Sequence, residues 1–283
     1  PALSVNTATA DLCCFWAGSP TANHIYYKKC VGGTWDSSPV DWITETTDQL
    51  TANDLLTSFY KDYGSRIGLV YMTKLASPYN VRYQNVPMMI STVSTATYQP
   101  FQRKCFYANG RFWAFYSNGT NMVFSTSSNG IKWSLPTSVR SCDNGEKFSI
   151  WFNGTHVSYA YCGEADGNAI YYRCGSPGSA GTITWSATEQ TAVAGASGTT
   201  YYWPCICVDS NSRPWIGYRK FPTASSTSSS PMVTKSTKID GTWTTDTGNG
   251  FPKDLAGYTL SYFFAVPVPL TGGKVTCLFT SAG

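Results

Sequence analysis

Hydrophobic and polar positions alternate with a period of two in short runs along the whole chain, and no stretch shows the 3.6-residue period of an amphipathic helix. The clearest region is 105–134, CFYANGRFWAFYSNGTNMVFSTSSNGIKWS, which holds three Asn-Gly pairs: Asn109-Gly110, Asn118-Gly119 and Asn129-Gly130. Asn-Gly between alternating runs is the strongest short-range hairpin signal, because both residues tolerate the positive φ of a type I′ turn. The stretch therefore predicts a four-stranded antiparallel meander that closes on Trp133.

The same plan recurs. Residues 157–186 read VSYAYCGEADGNAIYYRCGSPGSAGTITWS and residues 12–35 read LCCFWAGSPTANHIYYKKCVGGTW, with an IYY triplet at the same point of each. Residues 214–243 form another copy, and 68–83 a weaker one that lacks the Trp. Trp35, Trp133, Trp185 and Trp243 close the units at a spacing near 50 residues. Second strands are predicted near 12–16, 68–72, 112–116, 156–161, 214–218 and 274–279, and third strands near 25–27, 81–83, 122–124, 170–172 and 232–234. A period of about 50 residues with about four strands per unit predicts an all-β fold: one β-propeller domain over 1–283, of five or six four-stranded antiparallel blades, with the ring closed through both termini. The first unit is short of a strand unless residues 3–9 supply it, and the last ends after two strands. A β-sandwich is the alternative arrangement of the same strands.

Thr126–Trp133, TSSNGIKW, resembles the Asp-box S-x-D-x-G-x-x-W of sialidase-like propellers, with Thr126 in place of the Ser and Ser128 in place of the Asp. Gly241-Thr242-Trp243 and Gly33-Thr34-Trp35 look like shortened versions. In that family the box is a structural turn remote from the active site, so the resemblance bears on fold rather than function. It implies, for an enzyme, an arginine triad, a Tyr/Glu nucleophile pair and an acid/base Asp. No Arg-Ile-Pro signature is present, and none of Arg66, Arg82, Arg103, Arg111, Arg140, Arg173, Arg213 and Arg219 sits in a transferable motif. Arabinanase-like propellers need carboxylates near the axis, with two catalytic carboxyls about 5–10 Å apart. The 16 acids here fall mostly in turns, with Asp62 the one candidate on an inner strand. Glu164 and Asp166 are close in sequence but read as turn residues on a hairpin tip.

Composition narrows the functional classes. Charged residues are 13% and aromatics 15% of the 283, so Tyr, Ser, Thr and Gly take over the surface role of Lys and Glu, as suits an extracellular protein. Net charge is +4 without clustered Lys or Arg, which argues against a nucleic-acid partner. No apolar run approaches the ~18 residues of a membrane span. The start at Pro1 reads as a processed mature protein. Ten Cys with two His, His24 and His156, leave little for a metal, and no cofactor motif appears. Disulfides are the preferred reading: Cys162 with Cys174, Cys13 or Cys14 with Cys30, and the remaining one of Cys13/Cys14 with Cys277; the alternative is that some cysteines, such as Cys205 and Cys207, are buried free thiols. Asn118-Gly-Thr and Asn153-Gly-Thr are glycosylation sequons on turn tips. The Ser/Thr loop Thr223–Ser230 is low-complexity.

These features are expected to describe a non-catalytic, self-associating structural subunit of a secreted or cell-surface assembly, through unpaired strand edges in the first and last units. A lectin-like propeller is the second reading, with Tyr201, Tyr202 and Trp203 as the glycan-binding platform, and the IYY pairs either binding sugar or packing in the core. A glycoside hydrolase is the third.

Overall fold

The computed structural model describes residues 1–6, 10–45, 49–50, 56–61, 67–83, 86–130, 133–222, 228–257 and 262–282, with the backbone alone at 6, 86–90, 262–263 and 280–282. Asp62, Arg66 and residues 223–227 of the Ser/Thr loop lie outside the described residues. The chain divides into two compact units, Pro1–Gly145 and Glu146–Gly283.

The first unit carries three sheets. One comprises β1 (Ala2–Asn6), β2 (Asp11–Ala17), β3 (His24–Val31) and β4 (Thr34–Trp35), with β5 (Val40–Thr44) also paired to β3. The next is β6 (Leu56–Ser58), β7 (Leu69–Thr73), β8 (Tyr79–Tyr83) and β9 (Val86–Ser91). The third is β10 (Cys105–Ala108), β11 (Arg111–Ser117), β12 (Asn121–Ser127) and β13 (Thr137–Ser141). In the second unit, β14 (Phe148–Phe152), β15 (Val157–Cys162), β16 (Ile170–Pro177) and β17 (Ile183–Trp185) form one sheet, with β18 (Gln190–Val193) added to β16. It is followed by β19 (Thr200–Val208), β20 (Pro214–Phe221), β21 (Ser230–Lys235) and β22 (Lys253–Asp254), then by the two-stranded β23 (Tyr262–Pro269) and β24 (Val275–Ala282).

Every sheet is an up-and-down antiparallel meander, and five of them have the four or five strands of a blade: the fold is an all-β five-bladed propeller with almost no helix. Each expected second and third strand overlaps an observed one, and β1 is the first strand the opening unit was short of. Of the three Asn-Gly pairs, Asn109-Gly110 has positive φ at both residues (51° and 74°), as a type I′ hairpin requires. At Asn118 the side-chain carbonyl instead accepts from the backbone N–H groups of Thr120 (3.0 Å) and Asn121 (2.9 Å), an Asx turn. The third pair leads into the long connection before β13, so the meander ends past Trp133 rather than on it. The Asp-box-like turn there is held by Ser127, whose Oγ accepts from the N–H of Gly130 at 2.9 Å, while Ser128 is exposed.

The IYY triplets pack in the core. Within each triplet the two tyrosines point to opposite faces, as successive residues of a strand must, and one is buried and one half-buried: Tyr26 buried and Tyr27 half-buried in the first, Tyr171 half-buried and Tyr172 buried in the second. In the second unit, β19 packs on β14 and β15, and Ile170, Tyr172, Ile206, Ile216 and Tyr218 share one apolar cluster. Gly217 of β20 faces β23 so closely that a Cβ there would lie 2.2 Å from the Ala265 carbonyl oxygen, a contact only glycine permits.

Two sequence expectations need correction. Many hydroxyls are inside rather than on the surface: Ser91, Ser117, Ser125, Ser149 and Thr234 are fully buried. Ser117 Oγ donates to the Cys142 carbonyl at 2.8 Å, and Ser149 Oγ accepts from the Ile206 N–H at 2.9 Å. Such bonds contribute about 0.5–1.5 kcal/mol each, so part of the Ser/Thr content lies in the interior rather than on the surface.

The proposed disulfides are also not formed: none of the ten cysteines, Cys13, Cys14, Cys30, Cys162, Cys174 and Cys277 among them, is bonded to another. Register explains the hairpin cases. Cys162 faces Ile170 and Cys174 faces Ser158, so the two sit at opposite ends of their pairing, and Cys30 faces Leu12 rather than Cys13 or Cys14. Titration of the denatured protein with a thiol reagent is expected to count ten thiols, with no change in melting temperature on adding reductant. A count of eight or fewer would contradict this arrangement.

Candidate functional site

The second unit brings two carboxylates, a tyrosine, an arginine and a tryptophan together where β19 begins. The local cause is a β-bulge. Pairing of β19 with β20 is regular through Tyr202↔Arg219, then shifts register before Cys205↔Gly217, leaving Trp203 and Pro204 opposite the single Tyr218. Proline cannot donate to the ladder, so a Trp-Pro pair inside a strand forces such a break. Trp203 takes up the deformation at φ 53°, and Glu164, in the connection between β15 and β16, lies at φ 56°. Non-glycine residues held at positive φ store about 1–3 kcal/mol each and tend to cluster at working sites.

These two strained residues hold one another. The Trp203 backbone N–H donates to Glu164 Oε1 at 3.2 Å, and its indole Nε1–H donates to Glu146 Oε2 at 3.1 Å. One half-buried tryptophan thus separates two half-buried carboxylates. Glu146 sits in the short 3₁₀ turn leading into β14. The Arg219 guanidinium lies 4.8 Å from the Trp203 ring and 4.3 Å from the Phe221 ring, and its Nε donates to Ser229 Oγ at 2.7 Å. Tyr202, cross-strand from Arg219, packs edge-on to Phe221 at 5.3 Å. Burial pushes the Tyr202 phenol up, the Glu164 carboxylate adds to this, and Arg219 opposes it.

The arrangement sets two carboxyl groups, each able to exchange a proton with a ligand, beside a planar apolar surface and a phenol that can hold a polyhydroxylated one. The expected platform is therefore divided. Tyr202 and Trp203 belong to the site, whereas Tyr201 is buried, packs edge-on to Tyr218 at 5.4 Å and donates its hydroxyl to the Ala194 carbonyl. Glu164 is more than a turn residue, and Glu146 and Arg219 were missed. The available signals were the acid directly after Cys162-Gly163 and the proline inside a strand.

Other candidates lie elsewhere. His24 Nδ1 is 2.7 Å from Asp41 Oδ2 on the first sheet. The His156 N–H donates to Asn153 Oδ1 within a turn. Asn118 and Asn153 both occupy turn tips, as their sequons suggested. Buried Glu45 accepts from the Tyr71 hydroxyl at 2.6 Å and lies 4.0 Å from Arg82 Nε, a structural ion pair. Among the described residues no three His, Cys, Asp or Glu side chains gather as a metal-binding cluster, and no helix is long and apolar enough to cross a membrane. A cavity of about 280 Å³ in the first unit and one of about 200 Å³ beside Asn153 lie apart from the carboxylate pair.

No protein-family model matches the sequence, and no curated protein does. Solved structures match at the level of fold. An ulvan lyase of polysaccharide lyase family 25, bound to -[GlcA(1-4)Rha3S]-, aligns with 100% of this chain and 77% of its own at TM-score 0.62 and 11% identity. The same class of enzyme without that ligand gives TM-score 0.61 at 12% identity, with 100% of this chain and 77% of its own covered. An α-L-arabinofuranosidase from Fusarium graminearum, in complex with an iminosugar inhibitor, gives 0.51 at 12% identity over 98% of this chain and 90% of its own. The sialidase resemblance is thereby supported as far as the propeller fold. The expectation of a non-catalytic structural subunit is corrected: the solved structures named above are glycan-processing enzymes.

Proposed function

We propose that this protein cleaves the glycosidic bonds of a polysaccharide by hydrolysis, with Glu146 and Glu164 as the carboxyl pair. The observation that carries the reading is the attachment of both carboxylates to the two ends of Trp203, on a backbone strained at Trp203 and Glu164. One group protonates the leaving oxygen while the other activates water or attacks the anomeric carbon. The indole supplies a floor for a sugar ring, and Tyr202 donates a hydrogen bond. Each carboxylate accepts a bond from the tryptophan, which orients it. A polymer too large to enter a cell requires the enzyme to work outside it, in keeping with the extracellular expectation.

A second reading, β-elimination from a uronic-acid polymer, is favoured by the fold likeness to the ulvan lyase. It requires a base to remove a proton next to the uronate carboxylate. Burial and Glu164 push the Tyr202 phenol in the wrong direction for that base, and Arg219 is buried against Trp203 and Phe221. Hydrolysis therefore ranks first.

The deciding experiment incubates the protein with arabinan, xylan, pectic and uronate-rich polysaccharides. New reducing ends without the ultraviolet absorbance of an unsaturated uronate are expected. Absorbance rising in step with reducing ends would establish the lyase, and binding without cleavage of any polymer would leave a lectin.

A further inference from the structure

The cavity of the first unit has chemistry of its own. Its walls are Phe15 from β2, Tyr27 from β3 and Trp42 from β5, with Asp11, Lys29 and Cys13 also lining it. The three rings touch pairwise: Phe15–Tyr27 centroids are 5.9 Å apart, Phe15–Trp42 5.5 Å, and Tyr27–Trp42 5.9 Å at 89°. Trp42 is 37% exposed, so this indole is accessible from solvent, whereas Phe15 is buried. Lys29 Nζ lies 5.8 Å from the centre of the Tyr27 ring. A carboxylate and an ammonium are thus set beside an apolar aromatic corner.

We propose that this cavity is a second, non-catalytic saccharide-binding site that takes one neutral sugar unit of a chain. The apolar C–H face of a sugar ring matches the Trp42–Tyr27 corner, while Asp11 can accept from ring hydroxyls and Lys29 can donate to them. A volume of about 280 Å³ is at the small end for ligand pockets, enough for one ring rather than an oligomer. Aromatic corners also capture organic cations, but here the Lys29 ammonium already lies near the Tyr27 ring and opposes a second positive charge. Burial raises the Cys13 thiol, so it stays protonated and the site binds without reacting. The choice of a glycan as ligand rests on the proposed function, whereas the geometry of the cavity does not.

The test uses saturation-transfer NMR and calorimetry with arabinobiose, xylobiose, cellotriose and digalacturonate, on Glu164→Gln protein so that no probe is turned over. Binding of a neutral probe with transfer to aromatic protons is expected, weakened about ten-fold by Trp42→Ala and largely restored by Trp42→Phe. Trp42→Ala in the otherwise native protein should cleave soluble oligosaccharides at the native rate, which also shows that it folds. Native cleavage with no probe binding that depends on Trp42 would overturn the second site and leave the proposed function intact. Binding that depends on Trp42 in a protein that cleaves nothing would support the site and sink the hydrolase reading. Capture of choline or of digalacturonate alone, through Trp42, would overturn the assignment to a neutral sugar.

Discussion

Glu164→Gln is expected to lower turnover of the cleaved glycan by about 10³-fold, with KM changed by less than about three-fold, because positioned acid–base groups contribute roughly 10²–10⁴-fold. The substitution keeps the size of the side chain and an oxygen that can accept from the Trp203 N–H. It removes the ability to move a proton. Glu146→Gln should behave in the same way, since its Oε2 holds the indole N–H by an equivalent bond. The double variant should be little worse than either single one, as groups acting in one step are not additive. Steady-state kinetics with circular dichroism as a folding control checks this. Loss of less than about ten-fold in both single variants would remove the pair from the chemistry.

The largest stability effect is expected at the opposite extreme of burial. Trp113 on β11 is fully buried, stacks on Phe106 at 5.5 Å with planes 6° apart, and meets Phe124 at 5.4 Å. Its Nε1–H donates to the Ala108 carbonyl at 3.2 Å, beside the Asn109-Gly110 turn. Trp113→Ala removes the ring, leaves a cavity and strands that carbonyl, at a cost of about 3–5 kcal/mol. The melting temperature should fall by roughly 6–20 °C. Trp35→Ala, at a 45%-exposed indole, should stay within about 0.5 kcal/mol of the parent. Thermal or denaturant unfolding of the two variants side by side is the check, and equal losses would show the burial to be misassigned.

The contrast between these two predictions shows what was legible in the sequence. Strand positions follow from local rules, a period of two between turn residues, so the hairpin at Asn109-Gly110 and the IYY strands were readable without coordinates. The site is non-local. Glu146, Glu164, Trp203 and Arg219 come from two connections and two strands, and nothing in the spacing of 146, 164, 203 and 219 announces that one tryptophan joins two carboxylates. The acids were sought within apolar runs, whereas both stand just outside a strand, one before β14 and one after β15. The cysteines failed for a related reason. Flanking the same hairpin is a statement about sequence, and a disulfide needs facing registers, which Cys162 and Cys174 miss by four residues. Some of the hydroxyls expected on the surface are instead inside, where Ser91 and Ser117 each donate to a backbone carbonyl.

The most direct test of the account is a crystal structure of the Glu164→Gln protein with an oligosaccharide that the parent cleaves. The account predicts a sugar ring stacked on the Trp203 indole, with its glycosidic oxygen within hydrogen-bond reach of residue 146 or 164. A saccharide bound productively elsewhere, with Trp203 and both of these residues untouched, would contradict it.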